Sequence, residues 1–397
     1  MPGFVIVSAN HFLRSIMSLP KFKELERAYG FDEVAIVPGD VTANPDQTNI
    51  EMKIRDITFA IPIVAAAMDA VVDTDFAIAF SKAGGLPILN CDGIQVRYEN
   101  PEETLAEIIQ APDSEVTALM QKIYSEPIKE NLVAKRIKKI KKTGAICAIS
   151  LVPANTKKLA PLAEEAGADI IVVQSTVTTA RHISKSYRGL SFTDLCHQLH
   201  VPVIVGNAVT YSSALELMRT GIDGLLVGIG PGAACTTREV LGVGVPQVTA
   251  TIDCAAARDV YFKESGRYVS VITDGGIRIG SDMCKAFAAG ADGVVFGSIL
   301  TRAAEAPGKG YHWGMSQPSA TLPRGTRIRT TVNSTLERIL FGPSSRTDGT
   351  ENYVGALRNS MGVCGALTMR EFQKSKLVIA PSIKTEGKYF QALQHSY

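Results

Sequence analysis

No apolar run in the 397 residues approaches the ~18–20 needed to cross a bilayer, so no segment is read as a membrane span. An excess of one charge is missing too: 41 basic residues stand against 39 acidic ones, a net charge of +2. A dedicated nucleic-acid binder would carry a larger or clustered basic excess. The one dense basic run, from Lys135 to Lys142, has Ile137 and Ile140 interleaved at helical spacing and reads as a solvated helix face. The seven cysteines show no CxxC spacing and an odd count, which argues against a disulfide framework or zinc and for reduced thiols in a cytosol. The N-terminal MPGFVIVSAN lacks a basic n-region and a small-residue cleavage site, so it is not read as a signal peptide. With 46% hydrophobic and 20% charged residues, the chain is neither disordered nor fibrous.

What is present is alternation. Eight short runs rich in β-branched residues (62–66, 86–90, 145–150, 169–175, 202–207, 224–229, 270–274 and 293–298) are mostly near-continuously apolar, as parallel strands buried on both faces are. Helical patterns at 156–166, 212–220 and 281–289 separate some of them, each followed by a glycine suited to a C-cap: Gly167, Gly221 and Gly290. Eight such steps predict an α/β fold, a (β/α)8 TIM barrel, rather than an open doubly wound sheet. The expected organisation is a single catalytic domain over 1–397. It comprises an N-terminal extension (1–28), a flap region (307–350) and a C-terminal helical segment after strand eight. The long gap after strand two predicts helices through 101–110 and 126–142. Barrel active sites form at the C-terminal strand ends, so the polar stretch after strand eight is well placed to act as a lid.

The residues leaving the strands carry the chemistry. Asp274-Gly275-Gly276 and Gly297-Ser298 close strands seven and eight, where barrels hold phosphate on backbone N–H groups, and Asp274 can accept hydrogen bonds from sugar hydroxyls. Together they read as a nucleotide or sugar-phosphate cradle. Met68, Asn90, Gln174, Ser175 and Asn207 leave other strands; Asn207 could instead cap the helix that follows. In the loop 228–238, three glycines and Pro231 shape an unusual backbone ahead of Cys235, a candidate nucleophile, with Thr237 as a candidate proton acceptor. A packing role in a tight turn suits Cys147, Cys254 and Cys284 better.

The segment GIGPGAACTTREVLGVGVPQVTA (228–250) resembles the cysteine loop of the IMP dehydrogenase/GMP reductase family. So do YGFDEVAIVPG (29–39), IPIVAAAMD (61–69), VIVGNAVT (203–210), ITDGGIR (272–278), VVFGSILTRAAEAPG (294–308), WGM (313–315) and ALRNSMGVCGA (356–366). The resemblance implies that the Cys235 thiolate adds to C2 of a purine nucleotide and that hydride passes between C2 and a nicotinamide. Dehydrogenases of the family oxidise IMP with NAD and hydrolyse the thioimidate to XMP; reductases release ammonia from GMP at the expense of NADPH. By the same resemblance Asp274 binds the ribose, and Gly275, Gly276, Gly297 and Ser298 hold the phosphate with Tyr311. Met68, Gly314 and Met315 complete the substrate set, Met315 beside the purine. Gln174, Ser175, Asn207 and Gly228 meet the NAD cofactor, and the carbonyls of Gly230, Gly232 and Cys235 correspond to a potassium (K+) site. Family barrels are square homotetramers, so a homotetramer or higher is expected, with IMP/XMP or GMP as ligands, no nucleic-acid or membrane partner, and a cytoplasmic location.

The sequence also departs from the family. The gap after strand two is too short for two CBS regulatory modules. The aspartate expected after strand four is Gln174. The serine expected two positions before the nucleophile is Ala233, and Gly230-Pro231-Gly232 has the reductase form. The Arg-Tyr pair that acts as base on the dehydrogenase flap has no clear match in 317–327, nor has the reductase flap. In its place Arg327 and Thr237 are expected to share the hydrolytic work, with Glu337 behind Thr237. The competing view is that Arg324, Arg327 and Arg329 only bind cofactor phosphates or pair with surface acids. The leading expectation is an NAD-dependent IMP dehydrogenase. A GMP reductase and a catalytically idle purine-nucleotide-binding paralogue are the alternatives.

Overall fold

Hydrogen bonding joins the eight apolar runs into one closed parallel barrel. Its strands are β1 (Ile63–Ala65), β2 (Leu86–Asn90), β3 (Ala148–Leu151), β4 (Ile170–Gln174), β5 (Val203–Ala208), β6 (Gly224–Val227), β7 (Ser270–Asp274) and β8 (Gly293–Phe296). Chain order is also spatial order, and β8 returns to β1 through Val294↔Ile63 and Phe296↔Ala65. The computed structural model describes residues 23, 25–183, 189–314 and 327–381. The TIM-barrel expectation holds for every strand; β3 starts three residues later than its apolar run.

Side chains alternate across each strand. Val64, Ile88, Ala148, Val172, Ile204, Leu226, Ile272 and Val295 fill the barrel interior. Their neighbours Ile63, Leu89, Ile149, Val173, Val205, Leu225, Val271 and Val294 join the larger core between strands and helices. Burial of both faces is why the runs read as continuously apolar. Each fully buried aliphatic side chain contributes roughly 1.5–3 kcal/mol over leaving it exposed.

A hairpin, Met52–Ile54 with Ile57–Phe59, plugs the N-terminal mouth. Met52, Ile54 and Phe59 belong to the interior cluster, and Ser270 at the start of β7 donates its hydroxyl to Lys53 O at 2.6 Å. The opposite, C-terminal mouth is the one that bears the strand-end residues.

The gap between β2 and β3 folds as three helices: Pro101–Gln110, Val116–Ser125 and Glu130–Lys141. The middle one was not expected. The basic run lies on the third, where Ile137 and Ile140 are buried while Lys135 and Lys139 pair with Glu99 and Asp75. The middle helix buries Val116, Met120, Ile123 and Tyr124, which form a satellite cluster with Ile94, Leu105, Ile108 and Trp313. Among the described residues no helix is long and apolar enough to cross a membrane.

Candidate active site

The period of two that packs the barrel decides which polar groups face its mouth. Going inward past Ile170 and Val172 brings Gln174; past Ser270 and Ile272 it brings Asp274. Asn207 at the end of β5 donates its amide to Asp274 Oδ2 at 2.7 Å, and Gln174 donates to the same oxygen at 3.1 Å. Gln174 also donates to Asn207 Oδ1 at 3.1 Å. Burial pushes the Asp274 carboxyl up, and the Asn207 bond offsets part of that rise. The capping alternative for Asn207 falls away, because Thr210 accepts the Ser213 N–H at the start of the Tyr211–Arg219 helix.

Two strand ends are held in register by groups that the sequence did not single out. Gln247 donates to Val227 O and to Asp274 O, bridging the ends of β6 and β7. Arg238 donates to Ile229 O at 3.1 Å and to Val245 O at 2.8 Å, cinching the cysteine loop from behind. At the tip, the Cys235 N–H donates to Gly232 O at 3.0 Å and its thiol donates to Thr237 Oγ1 at 3.2 Å. Thr237 is buried and Cys235 half-buried. By contrast, burial pushes the Cys147 and Cys284 thiols up to about 12, and Cys254 is raised in the same way, so these three pack rather than react.

Gly275 and Gly276 have φ of 87° and 80°, a left-handed backbone that a side chain would strain. A Cβ on Gly275 would also lie 2.9 Å from Pro231 Cγ, so the cysteine loop rests directly on the glycine pair. Among the described residues, no hydrogen bond is made by the backbone N–H groups of Gly276 and Ser298, while Gly275 continues the β7–β8 ladder at Asp274↔Val295.

One cavity of about 350 Å³ brings these groups together, a size suited to a small-molecule ligand. Cys235, Thr237 and the loop glycines Gly228, Gly230 and Gly232 form one wall. Asp274, Gly275, Gly276, Gly297 and Ser298 form another. Gln174, Ser175 and Asn207 lie on a third side, with Met68 and Gly314 completing the boundary over a floor of Ile88, Leu226 and Val295.

Three expected residues are not brought to it. Arg327 turns away: its guanidinium donates to Ile108 O and to Ala111 O at 2.8 Å, pairs with Asp113, and stacks 4.9 Å from the Tyr311 ring. It closes the C-terminal end of the Pro101–Gln110 helix, whose last carbonyls lack helical partners. Tyr311, held under Arg327 and Arg329, does not border the cavity. Glu337 is exposed on the Leu336–Leu340 helix and is not a cavity residue. Met315 and the flap run from 317 to 326 lie outside the described residues.

A family model for the IMP dehydrogenase / GMP reductase domain matches residues 28–386. The chain belongs to that family. An uncharacterised oxidoreductase of Mycolicibacterium smegmatis is 36% identical over 362 residues, covering 89% of this chain and 96% of the relative. The inosine-5'-monophosphate dehydrogenase of Cryptosporidium parvum is 27% identical over 408 residues, covering 92% of this chain and 94% of the relative. Among solved structures, an IMP dehydrogenase/GMP reductase-like protein from Corynebacterium glutamicum superposes with a TM-score of 0.86 at 34% identity, covering 91% of this chain and 96% of that one.

For this member of the IMP dehydrogenase/GMP reductase family the geometry bears on the implied groups unequally. Gln174, Ser175 and Asn207, the residues that the resemblance assigns to a nicotinamide, border the thiol's cavity. For potassium the resemblance names the carbonyls of Gly230, Gly232 and Cys235. All three carbonyls belong to the cysteine loop, and that of Gly232 also accepts the Cys235 amide at 3.0 Å.

His312 and Arg278 also border the cavity, and neither was among the expected site residues. The signal for His312 in the sequence is its position beside the WGM motif.

Proposed function

We propose that this chain oxidises IMP to XMP with NAD through a covalent intermediate on Cys235. The observation that supports it is the convergence, in one cavity, of a thiol bonded to Thr237, a carboxylate with a free oxygen, and unpaired backbone N–H groups at the ends of β7 and β8. The phosphate of the nucleotide takes the amides of Gly276 and Ser298 where Gly275 and Gly297 let it approach the backbone, as anions do where N–H groups converge. The ribose hydroxyls donate to Asp274 Oδ1, since Oδ2 is occupied by Gln174 and Asn207. Anchored at both points, the base lies against Cys235.

The Cys235 Sγ forms a bond to C2, and the C2 hydrogen departs with its electron pair. The nicotinamide, when bound, supplies the acceptor for that hydride. Water then adds to C2, the Sγ–C2 bond breaks, and the balance is IMP + NAD+ + H2O to XMP + NADH + H+. Thr237, fixed 3.2 Å from Sγ, orients that water and relays its proton.

A GMP reductase is the second reading, favoured by Gly230-Pro231-Gly232 in the loop that rests on Gly275. Purified protein given IMP with NAD, and separately GMP with NADPH, separates the two by the absorbance of reduced nicotinamide. Appearance in the first mixture supports the proposal. Consumption in the second alone supports the reductase. Nucleotide binding without turnover in either leaves an idle paralogue.

A further inference from the structure

Strands β6 and β7 pair as far as Thr273↔Val227 and then part. After Val227 the chain enters the loop that carries Cys235; after Asp274 it enters the Gly275-Gly276 pair. At this fork the two chains touch. A Cβ on Gly228 would lie 2.2 Å from Asp274 O, and 3.0 Å and 3.1 Å from the two polar atoms of the Gln247 amide. Gln247 is 3% exposed and fills the fork: its Nε2 donates to Val227 O and to Asp274 O, the latter at 3.5 Å. It does not itself border the cavity.

The root of this side chain is fixed as well. Gln247 opens the helix Gln247–Ser265, whose Val248 and Thr249 amides donate to Tyr29 O at 3.1 Å and 3.2 Å. Its carbonyl accepts the Thr251 hydroxyl at 2.8 Å, and that hydroxyl lies 2.8 Å from Thr273 Oγ1 on β7. Held at its root and bonded at its tip, the side chain is a strut of set length.

The other end of the amide shows what the strut is kept for. Among the described residues, Gln247 Oε1 is buried with no hydrogen-bond partner. An unmatched buried acceptor costs free energy, and a methionine would fill the same space without one. Turning the amide over is no remedy, because Oε1 would then face two carbonyl oxygens. The cost is carried for two donations, both to the ends of strands that diverge toward the cavity. Asp274 has other supports: its pairing with Val295 and the bonds from Asn207 and Gln174. The root of the cysteine loop has fewer. Arg238 holds the loop's shape from within, and the Gly228 N–H donates to Ala208 O at 3.1 Å.

We propose that Gln247 is a positioning residue for the covalent step: by tying Val227 to Asp274 it sets where the Cys235 loop stands relative to the bound nucleotide. The inference rests on the covalent reading of Cys235. Loss of the strut should spare nucleotide binding and slow formation of the Sγ–C2 bond.

The test compares wild type, Gln247→Met and Gln247→Asn by calorimetric titration of IMP and by the rate of the NADH burst with IMP and NAD, with melting temperatures as the check on folding. Gln247→Met should bind IMP within about threefold of wild type. Its burst should be at least about tenfold slower, since a displacement on the order of 1 Å at reacting atoms costs about 100-fold. Gln247→Asn keeps the amide but is one methylene too short to span both carbonyls, and should slow the burst as well. If the methionine variant does not fold, the asparagine variant carries the comparison alone. A wild-type burst rate in either folded variant, with or without a lowered melting temperature, overturns the proposal, as does a loss of IMP affinity as large as the loss of rate. A wild type that forms no NADH from IMP overturns the covalent dehydrogenase reading itself, and the role of Gln247 with it.

Discussion

Replacing Asp274 with alanine should weaken affinity and leave stability little changed. In the free protein its Oδ2 accepts from Asn207 at 2.7 Å and from Gln174 at 3.1 Å, while Oδ1 is left for a ligand. Losing a charge-assisted bond to the sugar costs about 1.5–3 kcal/mol, or roughly 10–150-fold in Kd for IMP. Stability responds otherwise. Burial raises the folded-state pKa of Asp274 above its unfolded value of ~3.9, so between the two the folded chain binds the extra proton. Its contribution to stability therefore declines as pH rises through that window and stays low above it. At pH 7 the alanine variant escapes this desolvation cost but leaves two amide donors without their acceptor. The two effects oppose each other and the melting temperature should change little. Affinity has its own pH signature: sugar hydroxyls favour the carboxylate, so wild-type affinity falls as pH drops through the Asp274 pKa, while the variant's stays flat. Isothermal calorimetry at neutral and mildly acidic pH, with melting curves at both, measures all of this. A Kd within about threefold of wild type, or a variant with the same pH dependence, would refute the ribose role.

Cys235→Ala should bind IMP within about threefold of wild type and form no more than a few per cent of its reduced nicotinamide; substantial turnover would remove the thiol from the mechanism. Thr237→Val should slow steady-state turnover while keeping a rapid burst of NADH about equal to the enzyme concentration. Loss of the burst would move Thr237 into hydride transfer or binding. Arg327→Ala should destabilise the protein by about 2 kcal/mol in denaturant unfolding, through the lost carbonyl bonds at the helix end, and leave the ratio of burst to steady state unchanged. A selective loss of hydrolysis in that variant would restore Arg327 as a base.

The barrel was legible because its signal is local and repeated. Each strand, buried on both faces, advertises itself by composition, and the same period of two places Gln174 and Asp274 inward without further information. The cysteine loop was legible from its own glycines and Pro231, Gly228 and Gly230 having φ of 150° and 74°, and the pair Gly275-Gly276 from the left-handed backbone it needs against Pro231, which few residues besides glycine tolerate. What could not be read depends on contacts between distant parts of the chain. Arg327 sits near a flap in sequence, and the carbonyls it caps lie more than two hundred positions upstream, at Ile108 and Ala111. Charge and position suggested a base; folding has instead committed the guanidinium to a helix end. The Val116–Ser125 helix was missed for a related reason. Its apolar positions face a satellite cluster completed by Trp313, not the barrel.

That cluster explains why the barrel carries helices between β2 and β3. None of the cavity's lining residues comes from them, yet Tyr124 on the middle helix joins two segments that do reach the cavity. On one side it donates to Asp69, the neighbour of Met68 at the end of β1; on the other it accepts from Trp313, the neighbour of His312. Asp69 also accepts from Ile94 N at 3.0 Å and Asn90 Nδ2 at 3.3 Å, tying in the segment that leaves β2. Burial still pushes its carboxyl up to about 6 against these donors, a cost that a barrel of this size could avoid with an apolar residue. A buried polar network with all its members paired is rigid and admits one arrangement. Its effect here is to fix the relative positions of Met68 and His312 across the mouth. The helices therefore act on the site by positioning, and the polar residues inside them are kept for geometry more than for stability.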